Sequence, residues 1–520
     1  MNLIDYFDAG FASHPDAPCF ADCGSSEPAV SYAQAHARTC QIAHGLMALG
    51  FAPGFHGAVL GGNSAAAFTA LLGILRAQGV WLPVNARNSV DSNIEFLKDM
   101  DCEMLFYEAR YADQVAAIRA RLPGIRHCIS LEESGGADLS VEQLIQDQPP
   151  RMAMAPSRPE ALALIMGTGG TTGRSKGVML SNRNVSATFA NHMSVMSVSD
   201  RMTVLAAAPI THTAGLIAMP FLARGGRVVL MDGIEPQHLL KVMEQERVNM
   251  LFLPPTVIYA LLAQPNVRDF DFSALRYLVY GAAPMSPDKL AEAIEVFGPV
   301  MLQIYGQAEV PGAITVLRVE DHLIDGQVAP RQRLLSAGLR FPFTRVAIMD
   351  DDGELLDQPG AHGEIVAQGD IVMQGYYKNP EATAEVQRNG WHCTGDVGYF
   401  DAQGFLFIVD RKKDMIVTGG FNVFSSEVEA AVMAHPAVKD CAVIGVPDEK
   451  WGEAVKAVIE LRPNQSVEPT ELIQFVKSRL GSVKAPKDVE IVDQLPRSSV
   501  GKVLKKEVRK KYWQGQERMV

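Results

Sequence analysis

Short apolar runs at 56–60, 80–84, 103–107 and 126–130 are separated by segments of helical periodicity, clearest at 31–49 and 65–77. Strand-length runs alternating with helix-length patterns predict an α/β protein with a largely parallel sheet. The rhythm resumes after residue 200, with strands expected at 203–208, 227–231, 250–253, 277–280 and 300–303 and helices at 235–246 and 287–297. From about 336 to 410 the texture changes to short strands and tight turns such as Asp352-Gly353, which predicts a mainly β subdomain. Beyond Arg411 the chain becomes basic and helical again. The expected division is a large N-terminal domain over 1–411, with α/β sheets plus the β subdomain, and a small mobile α+β domain over 412–520. A chain of 520 residues exceeds what one core usually supports. Residues 133–160, rich in Gly, Pro, Gln and acids, are expected to form a surface connection.

Composition narrows the function classes. Hydrophobic residues make up 48% and charged residues 20%, as in ordinary globular proteins. A net charge of −12 argues against a nucleic-acid surface, which needs basic patches. The apolar stretch 57–86 is interrupted by Asn63, Ser64, Arg76 and Gln78, so it is expected to be strand, buried helix and strand rather than a membrane span. The N-terminus carries Asp5 and Asp8 and no basic segment, unlike a secretory signal. The seven cysteines are scattered, and Cys19 and Cys23 lack the second pair of a zinc site. Free thiols in a reducing cytoplasm are expected.

The densest chemical signal is Met166-Gly-Thr-Gly-Gly-Thr-Thr-Gly-Arg-Ser-Lys-Gly-Val178, directly after the apolar run 161–165. Glycines let a backbone approach a ligand closely. Exposed amides and hydroxyls then surround phosphate oxygens. A flexible Gly/Ser/Thr linker is the plain alternative, but linkers rarely follow a buried strand so tightly. No register of the stretch supplies the P-loop pattern of kinases and GTPases.

Five further motifs follow in order: Gly281-Ala-Ala-Pro284, Gln303-Ile-Tyr-Gly-Gln-Ala-Glu309, Trp391-His-Cys-Thr-Gly-Asp396, Asp410-Arg-Lys-Lys-Asp-Met-Ile-Val-Thr-Gly-Gly-Phe-Asn422 and Pro496-Arg-Ser-Ser-Val-Gly-Lys502. Each alone reads as a turn or a solvated lysine. Together, from near residue 25 to about 512, they resemble the adenylate-forming superfamily of acyl-CoA synthetases, peptide-synthetase adenylation domains and luciferases.

The resemblance implies two half-reactions. A carboxylate attacks the α-phosphate of ATP, giving an acyl-adenylate and pyrophosphate. The thiol of coenzyme A then displaces AMP. The resemblance assigns Thr168, Gly169, Gly170, Thr171, Thr172, Ser175 and Lys176 to the phosphates and Glu309 to Mg²⁺. It assigns Gly281, Ala282, Ala283, Tyr305 and Gly306 to the adenine, and Asp396 with Arg411 to the ribose. Lys502 is expected to bridge carboxylate and α-phosphate, offsetting charge in the transition state. His212 is expected to gate acid site and thiol tunnel, Lys413 to be the hinge, and Gly419 and Gly420 to line the tunnel. Ala308 departs from the family's usual Thr and removes one α-phosphate contact.

Family members that activate amino acids carry Asp one residue after the position of His212, and those that activate dihydroxybenzoate or salicylate carry Asn. This chain has Thr213, followed by small and apolar residues, which implies an uncharged hydrophobic acid, fatty or arylalkanoic. The function expected is therefore an ATP-dependent acyl-CoA ligase of fatty-acid metabolism type, with a stand-alone enzyme loading a carrier-protein thiol as the alternative. A non-catalytic descendant is disfavoured because Lys502, Glu309 and Asp396 are all retained. The expected partners are the acid, ATP and coenzyme A, with no nucleic acid, no membrane span and a homodimer as the assembly.

Overall fold

The computed structural model describes residues 1–132, 139–168, 175–198, 201–211, 213–497 and 503–513; for Asn422 only the backbone is described. The chain divides into two compact units, one of Met1–Val346 with Ala367–His392, the other of Ala347–Val366 with Cys393–Val520. The boundary expected at 411/412 falls inside the second unit.

The first unit holds two sheets. In the nine-stranded sheet, Pro18–Asp22, Arg227–Leu230, Thr203–Ala206, Met250–Leu253, Tyr277–Tyr280 and Met301–Gln307 run parallel in that spatial order. Val310–Leu317 and Leu339–Arg340 extend it antiparallel at one edge. The eight-stranded sheet runs from Gly375–Tyr376 through Gly177–Ser181, Leu162–Gly167, Val80–Leu82, His56–Leu60, Met104–Tyr107 and His127–Ser130 to Leu139–Ser140. Strands with both faces covered read as unbroken apolar runs, and His56–Leu60 and Met250–Leu253 are buried throughout.

Local chemistry explains the helix starts. Ser31 caps Tyr32–Ala48 through a reciprocal box with Gln34, and Ser181 caps Asn182–Val195 with Asn184. The same device corrects one expectation. Within 133–160, Leu139–Ser140 joins the sheet edge and Ser140 caps helix Val141–Ile145, so that stretch is not all connection.

The second unit contains the pair Trp391–Phe400 and Leu406–Arg411, in which Asp396 lies opposite Arg411. Its other sheet is ordered Phe421–Val423, Ile416–Thr418, Gly452–Leu461, Val438–Asp448, with Asp488–Ile491 parallel to Gly452–Leu461. Helices Ser425–Met433 and Pro469–Lys484 pack on an apolar core of Val428, Val432, Val443, Val455, Leu472 and Val476. The long hairpin Val438–Asp448/Gly452–Leu461 is more β than the helical expectation beyond Arg411. No described helix is long and apolar enough to cross a membrane. All seven cysteines are unpaired.

Candidate active site

The glycine-rich stretch is the tip of an antiparallel hairpin between Leu162–Gly167 and Gly177–Ser181, with Gly167 opposite Gly177. Gly169, Gly170, Thr171 and Thr172 lie outside the described residues. The neck is described. Thr168 N–H donates to the Lys176 carbonyl at 3.0 Å, and Lys176 N–H returns to the Thr168 hydroxyl at 3.3 Å. The Ser175 hydroxyl donates to the Thr168 carbonyl at 2.6 Å, which pinches the hairpin shut below its tip.

Glu309 sits at the turn of a second hairpin. Gln307 pairs with Val310, so Ala308 and Glu309 form a two-residue connection at the end of Met301–Gln307. Tyr305 and Gly306 therefore lie in a strand that continues to Gln307, longer than the 300–303 segment expected. Gly306 packs against Gly312 across this hairpin. A Cβ at 306 would lie 2.5 Å from the Gly312 nitrogen, so no side chain fits there.

The Tyr376 hydroxyl donates to Glu309 Oε1 at 2.7 Å. Burial first, and then the Glu309 carboxylate, push the phenol well above its ordinary pKa, so it stays a donor. Lys176 Nζ lies 4.8 Å from the centre of the same ring, in cation–π range. Tyr376 thus joins the neck of the phosphate loop to the expected metal carboxylate. Its backbone is held in turn: Tyr376 N–H donates to the Thr383 hydroxyl at 2.9 Å, and Asn379 caps the helix Pro380–Glu385 that carries Thr383. Sequence reasoning missed Tyr376; the run Gly375-Tyr-Tyr-Lys-Asn-Pro380, a glycine turn leading into a capped helix, was the available signal.

Among the described residues no cluster of three or more His, Cys, Asp or Glu could cage a metal by itself. Mg²⁺ commonly binds through one or two carboxylates and completes its shell with substrate phosphates and water. A single oriented Glu309 fits that pattern, and it would supply charge neutralisation at the phosphates.

Gly281, Ala282 and Ala283 follow strand Tyr277–Tyr280, and Ala282 is exposed with a left-handed backbone, φ +64°. Such a conformation in a residue with a side chain stores strain and recurs at ligand contacts. Before it, the Tyr280 hydroxyl lies 3.0 Å from His322 Nε2. His322 Nδ1–H donates to the Arg318 carbonyl at 2.7 Å, so Nε2 accepts from Tyr280. His392 is buried, with Nε2 at 3.3 Å from Gln307 Oε1. It meets the adenylation hairpin from outside the motifs singled out for chemistry.

In the second unit Asp396 is 3% exposed and its Oδ1 lies 2.6 Å from Arg411 Nε. Its N–H donates to Thr394 Oγ1 at 3.1 Å, and that hydroxyl donates to the Ile365 carbonyl at 2.7 Å. The expected ribose pair is thus assembled. Lys413 lies in the single turn Lys412–Asp414, and Asp414 pairs with Arg509 at 2.9 Å. Gly419 and Gly420 form the two-residue turn between Ile416–Thr418 and Phe421–Val423, with φ of +57° and +79°. Positive φ at both positions marks a type I′ hairpin turn, which favours glycine. Lys502 and His212 lie outside the described residues. The base of the lysine loop is described: Arg497 bridges Val503 antiparallel, and Leu504 N–H donates to the Pro496 carbonyl at 2.8 Å.

Comparison with known proteins agrees with this geometry. The AMP-binding enzyme family matches residues 7–377, and the AMP-binding enzyme C-terminal domain matches 427–502. A feruloyl-CoA synthase from Amycolatopsis sp is 36% identical over 486 residues, covering 93% of this chain and 94% of the relative. The medium/long-chain-fatty-acid–CoA ligase FadD8 of Mycobacterium tuberculosis is 40% identical over 390 residues, covering 74% of this chain and 67% of that one. The solved amide bond synthetase McbA from Marinactinospora thermotolerans superposes with a TM-score of 0.86 at 31% identity, over 98% of this chain and all of its own (100%). The chain belongs to the AMP-binding enzyme family of adenylate-forming enzymes, in the class of ATP-dependent, AMP-forming acyl-CoA ligases.

Proposed function

We propose that this ligase activates a hydrophobic monocarboxylic acid and that the residues named above divide its two half-reactions. A carboxylate oxygen attacks the α-phosphorus and pyrophosphate leaves. The thiol of coenzyme A then attacks the acyl carbonyl and AMP leaves. Lys502 stabilises the first step, where two anions meet. Thr168, Ser175 and Lys176 hold the phosphates, Glu309 takes Mg²⁺, and Asp396 with Arg411 takes the ribose hydroxyls. Lys413 is the hinge of the C-terminal domain, and Gly419 and Gly420 serve the thiol step.

The single observation that carries this reading is the Lys176–Tyr376–Glu309 contact, which ties a phosphate-loop lysine to the metal carboxylate. The acid's character rests on Thr213 standing where charged-substrate members carry Asp, and on Ala214, Gly215 and Ile217 after it. The feruloyl and fatty-acid ligases among its relatives support the same class. Cytoplasmic location and a homodimer belong to this reading, the latter testable by light scattering.

The test is a panel of fatty, aryl and amino acids assayed for AMP release with and without coenzyme A. Coenzyme A-dependent release with a hydrophobic acid is expected. Release driven only by an acyl carrier protein, or best with a free amino acid, overturns the assignment.

A further inference from the structure

His192 is a buried polar side chain that the mechanism above leaves unused. It lies on helix Asn182–Val195 and is 2% exposed. Its Nε2 is 3.1 Å from the carbonyl oxygen of Gly312. A carbonyl only accepts, so Nε2 carries the proton and Nδ1 presents a bare lone pair. Nδ1 has no hydrogen-bond partner. Buried polar atoms are satisfied in the great majority of cases, and an exception calls for an explanation. Burial lowers the imidazole pKa to about 4, so the ring is neutral near pH 7 and Nδ1 is an acceptor there.

The surroundings say what could meet it. Gly312 lies three residues beyond Glu309, in the strand Val310–Leu317 expected to wall the acid site. It has φ +57°, and the space its missing side chain leaves is bounded by Ile304 Cδ1 at 3.4 Å and by His192 Nε2 and Cε1 at 3.7 and 3.9 Å. The glycine therefore opens the strand toward the imidazole edge. The Phe341 ring stands beside it, centroids 6.0 Å apart, adding an aromatic wall.

We infer that His192 is a specificity-determining residue of the acid site, whose Nδ1 accepts a hydrogen bond from a hydroxyl on the acid remote from its carboxylate, and that the acid is a phenolic arylalkenoic or arylalkanoic one. The inference rests on the ligase reading of the same site. A hydroxyl is the fitting donor because it is neutral and compact. An ammonium would place a charge among Ile304, Phe341 and Gly312, with no carboxylate yet assigned to pair it. The aromatic wall and the glycine gap suit a planar ring better than an alkyl chain.

The experiment measures kcat/KM for 4-hydroxycinnamic acid and for cinnamic acid, with ATP and coenzyme A, in the wild-type enzyme and in His192→Phe and His192→Asn. A site built around a hydrogen bond rejects the analogue lacking it, so the hydroxylated acid is expected to lead by about tenfold or more in the wild type. In His192→Phe that ratio is expected to collapse to about one, with cinnamic acid little changed, and His192→Asn to recover part of it. A wild-type ratio near one overturns the inference without reference to any variant. So does an equal fall for both acids in His192→Phe, which marks a packing role only. If neither acid is used while a fatty acid yields AMP, the inference fails and the ligase reading stands. If no acid yields AMP, the ligase reading itself fails.

Discussion

The hydroxyl of Tyr376 donates to the carboxylate of Glu309 at 2.7 Å, while Lys176 lies over the other part of the same residue, its ring. One side chain thus orients a metal ligand and supports a phosphate-binding cation. The two roles are separable. Tyr376→Phe keeps the ring under Lys176 and removes the bond to Glu309. Hydrogen bonds to charged groups contribute roughly 1.5–3 kcal/mol, so the Mg²⁺ concentration for half-maximal ATP–pyrophosphate exchange is expected to rise by about 10- to 150-fold. Tyr376→Leu removes both contacts and is expected to weaken ATP binding as well. Unchanged Mg²⁺ dependence in Tyr376→Phe would dissociate Glu309 from the metal.

Asp396→Ala tests the nucleotide site. Asp396 is enclosed, while its partner Arg411 is 42% exposed and can turn to water when the carboxylate is lost. The fold is therefore expected to survive the substitution better than activity does. The apparent KM for ATP should rise by about 10- to 150-fold, or adenylation should cease. Normal adenylation by the folded variant means that the Thr394-Gly-Asp396 motif does not hold the ribose.

The division of labour within the second unit is checked by paired half-reaction assays. Lys502→Ala is expected to lose adenylation severely yet still convert synthetic acyl-adenylate with coenzyme A. Gly420→Trp is expected to do the reverse. No atom lies within 4 Å of a Cβ built at Gly420, so the side chain has room, and the penalty is the positive φ alone. Gly419 tolerates less, because a Cβ there lies 2.6 Å from the Trp451 ring. Lys413→Pro is expected to favour one half-reaction, since proline fixes φ where a hinge must change it. Equal loss of both halves in folded Lys502→Ala refutes the split.

Stability should fall on mild acidification. His192, His322 and His392 are each held neutral, chiefly by burial, with pKa lowered from 6.5 to about 4. The unfolded chain binds protons at these sites before the native state does. Their contribution is complete above pH 6.5 and declines as pH falls toward 4, by an amount on the order of 3 kcal/mol each as an upper limit. Urea midpoints at pH 7.5 and pH 5 should differ accordingly, and His322→Phe should flatten the dependence. A midpoint that rises on acidification would contradict the burial of these rings as neutral species.

Much of the fold was legible because its strands are buried on both faces. His56–Leu60, Met250–Leu253 and Tyr277–Tyr280 appear as unbroken apolar runs and form as expected. Helix Pro287–Phe297 also matches its expected bounds, set by the proline that starts it and Gly298 that ends it. The hairpin Val438–Asp448/Gly452–Leu461 was less visible, since charged residues such as Lys439, Lys456 and Glu460 interrupt its pattern and are neutralised only by long-range pairing. The site was legible where chemistry is concentrated in a motif, as at Glu309, Asp396 and Arg411. Tyr376, His192 and His392 were not, because each acts through a partner 67, 120 or 85 positions away, and only folding reveals the pair.

The contact between Gly306 and Gly312 has a consequence for laboratory evolution of this enzyme. Each backbone occupies the room the other's side chain would need, so saturation libraries at position 306 should return almost only the parental residue. Diversity spent there is wasted, and the acceptance of new acids must be sought by varying Ile304, Phe341 and His192, whose side chains can change size while the hairpin keeps its path.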